Sequence, residues 1–157
     1  MRGMKLTNVV RGLAAFVLFL FSIIPVAAQS AQPEGAQQFT DFGAFQLRNG
    51  SVIHDFRLGY RTLGTLNAEK SNAVLWPTWL GGRSEDLLPF VGPGKVVDTS
   101  HYFVILVDAI GNGVSSSPSN SRKQSLLKFP EFSIRDMVES EHRLVTEVLH
   151  LSHLCAV

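Results

Sequence analysis

The pattern of apolar and polar positions is clearest in the middle of the chain. Residues 102–107 form a continuous apolar run that is rich in aromatic and β-branched side chains. Such a run predicts a strand buried on both faces, as in a parallel sheet. The run ends at Asp108, and residues 109–118 are rich in glycine, asparagine and serine. Because ligands bind at the carboxyl ends of strands in open α/β sheets, this loop predicts the functional edge of an α/β enzyme.

An antiparallel hairpin is predicted over residues 45–62. The dipeptide Asn49-Gly50 lies near its centre. This pair is typical of a two-residue type I′ turn, in which both residues take positive φ. The second half of the segment alternates between apolar side chains and charged residues or glycine, which predicts one buried and one exposed face. The apolar members are Phe56, Leu58 and Tyr60.

A short strand is predicted next, over residues 72–76. We expect it to stop at Pro77, because proline cannot donate a hydrogen bond to a central ladder. Residues 78–82 then end in two glycines, so they predict a loop whose backbone can come close to a ligand.

Two helices and a further strand complete the pattern. Ser84 is the predicted N-cap of a short helical turn. Ser133 is the predicted N-cap of a longer helix, with Asp136 as the carboxylate of a capping box. The apolar stripe of that helix is interrupted by Glu141, and residues 154–157 predict the start of another strand. A hairpin followed by alternating strands and helices indicates an α/β fold.

The first 28 residues have the form of a secretory signal peptide. A basic start is followed by a mostly apolar run over residues 13–26, and small residues end the segment. We expect cleavage after Ala28, a flexible leader over residues 29–38 and a domain over residues 39–157. The alternative is an uncleaved membrane anchor, although the run is short for a span of about 20 residues. With cleavage, the protein is secreted or periplasmic and keeps no stable membrane span.

Charge and cysteine content narrow the function classes. The chain has 14 Lys and Arg against 13 Asp and Glu, and three of the basic residues lie in the predicted signal peptide. The remainder has 11 basic and 13 acidic residues, a formal net charge of −2. This charge argues against nucleic-acid binding. Cys155 is alone, so neither an internal disulfide nor a thiolate metal cluster can form, and we expect a buried thiol in a strand. We predict no metal and no cofactor.

Eight stretches together resemble homoserine O-acetyltransferases and related proteins of the α/β-hydrolase fold. The resemblance covers nearly all of the chain from about Phe45 to Val157, and the stretches occur in the family's order. They are Tyr60-Arg-Thr-Leu-Gly-Thr-Leu-Asn67, Ser71-Asn-Ala-Val-Leu75, Gly92-Pro-Gly-Lys95, Asp98-Thr-Ser100, Tyr102-Phe-Val-Ile105, Gly111-Asn-Gly113, Ser115-Ser-Ser-Pro-Ser119 and Ile134-Arg-Asp-Met-Val138. Two positions depart from the family's pattern. Leu149-His150 stands where relatives usually end the helix in Leu-Gly, and Glu141 replaces a usual glutamine.

The resemblance implies the N-terminal portion of an α/β-hydrolase sheet, truncated before the nucleophile elbow. In this fold the strand beginning at Leu154 should run into a Gly-x-Ser-x-Gly turn that presents the serine, with the acid and base of the triad later in the chain. We therefore assign none of the triad within residues 1–157. The sequence around Ser115 lacks the second glycine of the elbow motif. Asp108 is expected to accept loop N–H groups rather than to act as the triad acid. The histidines near the helix end are interpreted as solvated or capping residues: His142, His150 and His153.

One part of an active site is implied by the same resemblance. The turn after the third strand of this fold supplies an oxyanion-hole N–H group. That group falls on the backbone of Trp79, and Gly81 and Gly82 would allow close approach of a ligand. The alternative is that Trp79 is only a packed aromatic residue in a tight turn. The second active-site loop is expected to contain Gly111, Asn112 and Gly113.

Three functions are open on the sequence alone. The first is the front part of a secreted serine-type α/β-hydrolase that cleaves esters through an acyl-enzyme. The second is an acyltransferase that passes an acyl group from acyl-CoA to a hydroxyl such as that of homoserine, and the export signal argues against it. The third is a truncated, non-catalytic product, and we expect the chain as written to be inactive. For the intact protein we expect a small-molecule ester or acyl substrate and no nucleic-acid partner, and a homodimer is an open option.

Overall fold

The structure is a computed structural model that describes residues 33–79 and 81–157. The predicted signal peptide and residues 29–32 of the predicted leader lie outside the described residues. The described part of the leader lies against the hairpin: Gly35 N–H donates to Thr62 O at 3.0 Å, and Arg61 Nη1 donates to Gly35 O at 2.7 Å. Within the described residues, no helix is both long and apolar enough to cross a membrane.

Four strands form one mixed sheet. They are β1 (Gln38–Gln46), β2 (Val52–Leu63), β3 (Ala73–Pro77) and β4 (Phe103–Val107), in the spatial order β1-β2-β4-β3. β1 pairs antiparallel with β2 and β2 pairs antiparallel with β4, whereas β3 and β4 are parallel. This arrangement confirms the predicted antiparallel hairpin followed by parallel strands. β3 includes Pro77, one residue beyond the predicted end, because Pro77 still aligns with Val107 at the edge of the ladder.

The hairpin turn differs from the predicted type I′ turn. Gly50 has a φ of 86°, but Asn49 does not take positive φ. Gly50 N–H donates to Leu47 O at 3.0 Å, and Leu47 N–H donates to Ser51 O at 2.8 Å. These bonds close a three-residue loop with glycine in the left-handed position, which is the next most common hairpin geometry. The Asn49 side chain is used instead to bind Ser51 N–H and Glu131 O.

The core lies on both faces of the sheet. On one face, apolar side chains of β2 and β4 pack with Leu144, Val145 and Leu151, which follow residues 134–143 of the long helix. On the other face, Leu87 and Val91 form a smaller cluster with Leu63, Val104 and Leu106. Burial on both faces explains the unbroken apolar run of β4, as predicted. The fully buried members of this strand are Val104, Ile105, Leu106 and Val107.

The helices begin at or next to the predicted caps. The long helix α2 (Ile134–Arg143) has Ser133 as its N-cap, and Asp136 Oδ2 accepts from Ser133 N–H at 2.8 Å, which confirms the capping box. The short helix α1 (Ser84–Leu87) is capped by Arg83 rather than Ser84. Ser84 is its first helical residue, because its N–H and hydroxyl both bind Asp108. α2 continues as a π-helical turn, Leu144–Val148.

The last residues lie beside the open edge of β3. Ala156 forms an isolated parallel bridge with Val74, and Leu75 N–H donates to Ala156 O at 3.0 Å. Residues 154–157 therefore begin to pair like the predicted strand, next to β3 and on the side away from β4. Cys155 is exposed, contrary to the expectation of a buried thiol, because it lies at this outer edge of the described sheet.

Candidate functional site

The parallel strands β3 and β4 deliver two loops to the same sheet edge. Thr78 N–H donates to Val107 O at 3.0 Å, so the ladder extends one residue past β3. Ala109 N–H then donates to Thr78 Oγ1 at 3.1 Å. Two loops that leave neighbouring parallel strands are thus joined within their first two residues. This edge is where an open α/β sheet binds ligands.

The loop after β3 contains a tight turn from Trp79 to Gly82. Gly82 N–H donates to Trp79 O at 2.9 Å, and Gly81 has a φ of 78°, which favours glycine. A Cβ atom on Gly82 would lie 2.5 Å from the Trp79 ring, so only glycine fits beneath that ring. Trp79 as a whole residue is 56% exposed. Within residues 33–79 and 81–157, no acceptor takes the Trp79 N–H.

Asp108 is the buried centre of the site. It follows β4 directly and has no exposed surface. Its Oδ1 accepts from Ser84 N–H at 2.8 Å and from Asn112 Nδ2 at 3.0 Å. Its Oδ2 accepts from the Ser84 hydroxyl at 2.8 Å and from Gln37 Nε2 at 3.0 Å. We expected Asp108 to accept loop N–H groups; it accepts one backbone N–H, that of Ser84, and three side-chain donors, and of these donor residues only Asn112 lies in the same loop as Asp108.

Asn112 joins the two predicted active-site loops. Its Nδ2 donates to Gly82 O at 3.0 Å as well as to Asp108. Its Oδ1 accepts from Val114 N–H at 2.9 Å and from Ser115 N–H at 3.1 Å. Both ends of the side-chain amide are therefore used, and the side chain cannot rotate without losing all four bonds.

The glycines on either side of Asn112 shape its loop. Gly111 and Gly113 both have a φ of 90°. A Cβ atom on Gly111 would lie 2.7 Å from Phe132 Cζ, so this position needs glycine for space as well as for conformation. The loop that was predicted from its composition is thus brought to the predicted edge of the sheet. Any contact of its glycines with a substrate stays a prediction.

The serines of the second loop pair with β2. Gly59 N–H donates to Ser115 Oγ at 2.8 Å, and Ser115 Oγ donates to Asp108 O at 2.7 Å. Arg57 N–H donates to Ser116 Oγ at 2.9 Å. The hydroxyls take the place of strand carbonyls where β2 extends past β4. Ser115 is fully buried, and its hydroxyl already accepts one hydrogen bond and donates another. Both observations fit its exclusion as a nucleophile.

The histidines lie apart from this edge. His142 O accepts from Thr146 Oγ1 and His150 O accepts from Lys70 Nζ, so both take part through their carbonyl groups. His150 has a φ of 53°, the left-handed conformation that glycine usually supplies after a helix. The His153 ring lies 3.1 Å, through Nδ1, from the hydroxyl oxygen of its exposed neighbour Ser152. None of these arrangements joins a histidine to a buried carboxylate and a serine.

Two residues of the hydrogen-bond network around the Asp108 carboxylate carry no sequence signal that predicts their place in it. Gln37 falls in the stretch interpreted as a leader, and Ser84 was interpreted as a cap. Arg61 adds a third, since its Nε donates to Ser84 Oγ at 2.9 Å. Their separations from Asp108 along the chain are long, so no local pattern connects them.

A cavity in the described residues lies elsewhere, against the hairpin. It has a volume of about 410 Å³ and lies between the polar side of β1–β2 and residues 116–122. Its charged lining groups are exposed and stay hydrated, so we place the site at the β3–β4 edge. These groups are Asp41, Asp55, Arg57 and Arg122.

Comparison with known proteins identifies the family. The chain is 38% identical over 131 residues to a probable esterase of Corynebacterium glutamicum, a match that covers 82% of this chain and 38% of the esterase. It is 36% identical over 121 residues to a homoserine O-acetyltransferase of Methanococcoides burtonii, covering 66% of this chain and 25% of that enzyme. The crystal structure of an acetylester hydrolase from C. glutamicum superposes with a TM-score of 0.72 at 38% identity, covering 76% of this chain and 35% of that one. The chain belongs to the homoserine O-acetyltransferase-like family of the α/β-hydrolase fold.

The chain matches the N-terminal part of this family. It spans between a quarter and two fifths of the length of these curated relatives. No family model matches the chain. The relatives include both esterases and acyltransferases, so the family supports either a hydrolase or an acyltransferase.

Proposed function

We propose that this chain supplies the oxyanion side of the active site of an exported serine-type α/β-hydrolase that cleaves small esters. The observation that carries the proposal is the Trp79–Gly82 turn, which is fastened to the loop after β4 by Asn112 and Asp108. In this fold the turn after the third strand provides one oxyanion-hole N–H group. The Trp79 N–H has no acceptor among the described residues, which supports its proposed role as a donor to a substrate oxygen.

The nucleophile belongs to a strand beside β3. Ala156 pairs in parallel with Val74, so a chain that continued would reach the end of β3 three residues later, opposite Pro77. A serine on a sharp turn at that point would lie next to the Trp79–Gly82 turn. It would attack the ester carbonyl and release the alcohol, and water would then hydrolyse the acyl-enzyme. The Trp79 N–H would stabilise the oxyanion of both tetrahedral intermediates, a contribution of about 3–4 kcal/mol for one such donor.

The substrate proposed is a small acetate-type ester. The support is the similarity, at 38% identity, to a protein whose crystal structure is described as that of an acetylester hydrolase. The second candidate is an acyl-CoA-dependent acyltransferase, which is favoured by the 36% identity to a homoserine O-acetyltransferase. Both reactions use the same oxyanion site and differ in whether water or an alcohol accepts the acyl group.

Hydrolysis of p-nitrophenyl acetate tests this proposal. Residues 1–157 contain no Gly-x-Ser-x-Gly sequence, so we expect the 157-residue chain to give no turnover above the protein-free rate. An extended protein, in which residues 154–157 continue through a Gly-x-Ser-x-Gly turn and the rest of an α/β-hydrolase domain, is expected to hydrolyse the ester and to lose activity with a serine-reactive fluorophosphonate. Serine-reagent-sensitive turnover by the 157-residue chain would contradict the proposal. Acetyl transfer from acetyl-CoA to homoserine without ester hydrolysis would favour the acyltransferase.

We also propose that residues 1–28 direct export, on the basis of their basic start and apolar run. Production in a Gram-negative host is expected to give a periplasmic protein whose N-terminal residue is Gln29. The mass of the purified protein checks the cleavage site. A control in which Ala28 is replaced by a bulky residue, Ala28→Phe, is expected to keep the signal uncleaved. Recovery of the unchanged chain from the cytoplasm with its first 28 residues attached would rule the export proposal out.

A further inference from the structure

The segment after β4 holds the Trp79–Gly82 turn at three points. Ala109 N–H binds Thr78 Oγ1 just before the turn. Asn112 Nδ2 binds Gly82 O at the last residue of the turn. Asp108 Oδ1 binds the N–H of Ser84, two residues after the turn. We call Asp108, Ala109 and Asn112 the β4 clamp, since all three follow β4 and all three act on the loop after β3.

The clamp is itself held rigidly. Asp108 is fully buried and accepts four hydrogen bonds, so its carboxylate can move only if several donors lose their partner. No Lys, Arg or His side chain of the described residues lies within salt-bridge distance of Asp108. Its charge is therefore stabilised by these oriented donors, and each donor is correspondingly fixed in direction.

We propose that Asp108 and Asn112 are positioning residues that hold the Trp79–Gly82 turn in the orientation its oxyanion-binding N–H requires. The inference rests on the proposed function, since it is the Trp79 N–H that would contact the substrate. An oxyanion donor acts only when it lies about 2.7–3.1 Å from the place where the charge develops. Among the described residues the turn has one backbone bond of its own, from Gly82 N–H to Trp79 O, and the glycines Gly81 and Gly82 have the backbone freedom of residues without a Cβ atom. The clamp supplies the rigidity that those glycines lack.

The variant Asn112→Asp removes the hydrogen-bond donor of the Asn112 side chain and keeps its acceptor. The carboxylate keeps the oxygen that accepts from Val114 and Ser115, but it loses the donor to Gly82 O and Asp108. The matched control is Asn72→Asp at the opposite end of β3, where Nδ2 likewise donates to two oxygens, Thr65 O and His101 O. Asn112→Ser, which adds no charge beside Asp108, is the second variant and replaces Asn112→Asp should that variant not fold.

Amide hydrogen exchange in the 157-residue chain measures how often the Trp79–Gly82 turn opens. The Gly82 N–H is protected only while the turn is closed. We expect Asn112→Asp to speed its exchange about tenfold or more, with the Leu106 amide in β4 unchanged. Asn72→Asp should leave the Gly82 amide as in the unmodified chain. Unchanged Gly82 exchange in both Asn112 variants would overturn the proposal, and so would an equal rise at Leu106, which would indicate general loosening.

Kinetics of the extended protein separate positioning from mere structure. Asn112→Asp is expected to lower kcat for p-nitrophenyl acetate about 10–100-fold with little change in KM, because the lost interaction acts in the transition state. A kcat unchanged beside faster Gly82 exchange would overturn the positioning role. An inactive unmodified protein would instead count against the proposed function, and the exchange measurement would still decide whether the clamp holds the turn.

Discussion

Replacement of Asp108 by alanine is expected to lower the free energy of unfolding by about 3–5 kcal/mol. Hydrogen bonds to a charged group contribute about 1.5–3 kcal/mol each, and removal of the acceptor leaves buried donors without a partner. The donors affected are the amides of Gln37 and Asn112 and both donor groups of Ser84. The loss is limited because the cost of burying the carboxylate disappears with it. Urea denaturation at pH 7, followed by far-UV circular dichroism, measures the change.

Asp41→Ala provides the control for this experiment. Asp41 lies on the exposed side of β1, and such substitutions usually change stability by less than about 0.5 kcal/mol. Asp108→Asn is informative as well, since it keeps the shape but puts an N–H₂ group against donors of Ser84 and Asn112 in the place of Oδ1, or of Ser84 and Gln37 in the place of Oδ2. We expect it to destabilise the fold by an intermediate amount. If Asp108→Ala lowered the free energy of unfolding no more than Asp41→Ala does, the claim that the Asp108 hydrogen bonds stabilise this edge of the sheet would be refuted.

Replacement of Glu141 by glutamine is expected to stabilise the protein at neutral and alkaline pH. Burial raises the pKa of Glu141 from its ordinary value of 4.5 to about 7. Between these two values the unfolded chain loses its proton while the folded chain keeps it, so stability falls as pH rises through this window. Above pH 7 the penalty is complete and amounts to about 3 kcal/mol, taking 1.36 kcal/mol for each unit of pKa. Glutamine carries no charge and avoids the penalty.

Denaturation at pH 4 and pH 8 checks this prediction. At pH 4 Glu141 is protonated in both states, and Glu141→Gln should leave stability nearly unchanged. At pH 8 the variant should be more stable by about 3 kcal/mol. Glu139→Gln on the exposed side of the same helix is the matched control, with little effect at either pH. Equal stability of Glu141→Gln and the unmodified chain at pH 8 would show that the buried carboxylate carries no such cost.

Local patterns predicted most of the elements. The apolar run of β4 and the Ser133–Asp136 capping box each concern neighbouring residues, and both were confirmed. The turn after Leu47 was predicted wrongly, because Asn49 is drawn into bonds with Ser51 and with Glu131, and the second of these is distant in sequence. Similarly, Ser84 reads locally as a cap, and only its contact with Asp108 explains why it begins the helix instead.

The candidate site could be predicted in part. Asn112 and the glycines of the two loops were identified from composition and from resemblance to a family. What the sequence could not supply is the pairing between loops, such as Asn112 with Gly82, because it depends on β3 and β4 being parallel neighbours. The serines after Gly113 illustrate the same limit. They look like catalytic candidates in a glycine-rich loop, but they serve as hydrogen-bond partners for the extended end of β2.

The codons that follow residue 157 test the central claim most directly. We propose that this chain forms the oxyanion side of a serine-hydrolase site, with the nucleophile on a strand that begins beside Val74. Sequencing of the downstream DNA is expected to show, in one of the three frames, a Gly-x-Ser-x-Gly sequence within about ten codons, because the end of β3 lies only three residues beyond Ala156 in this register. No such sequence in any frame over that distance would contradict the account.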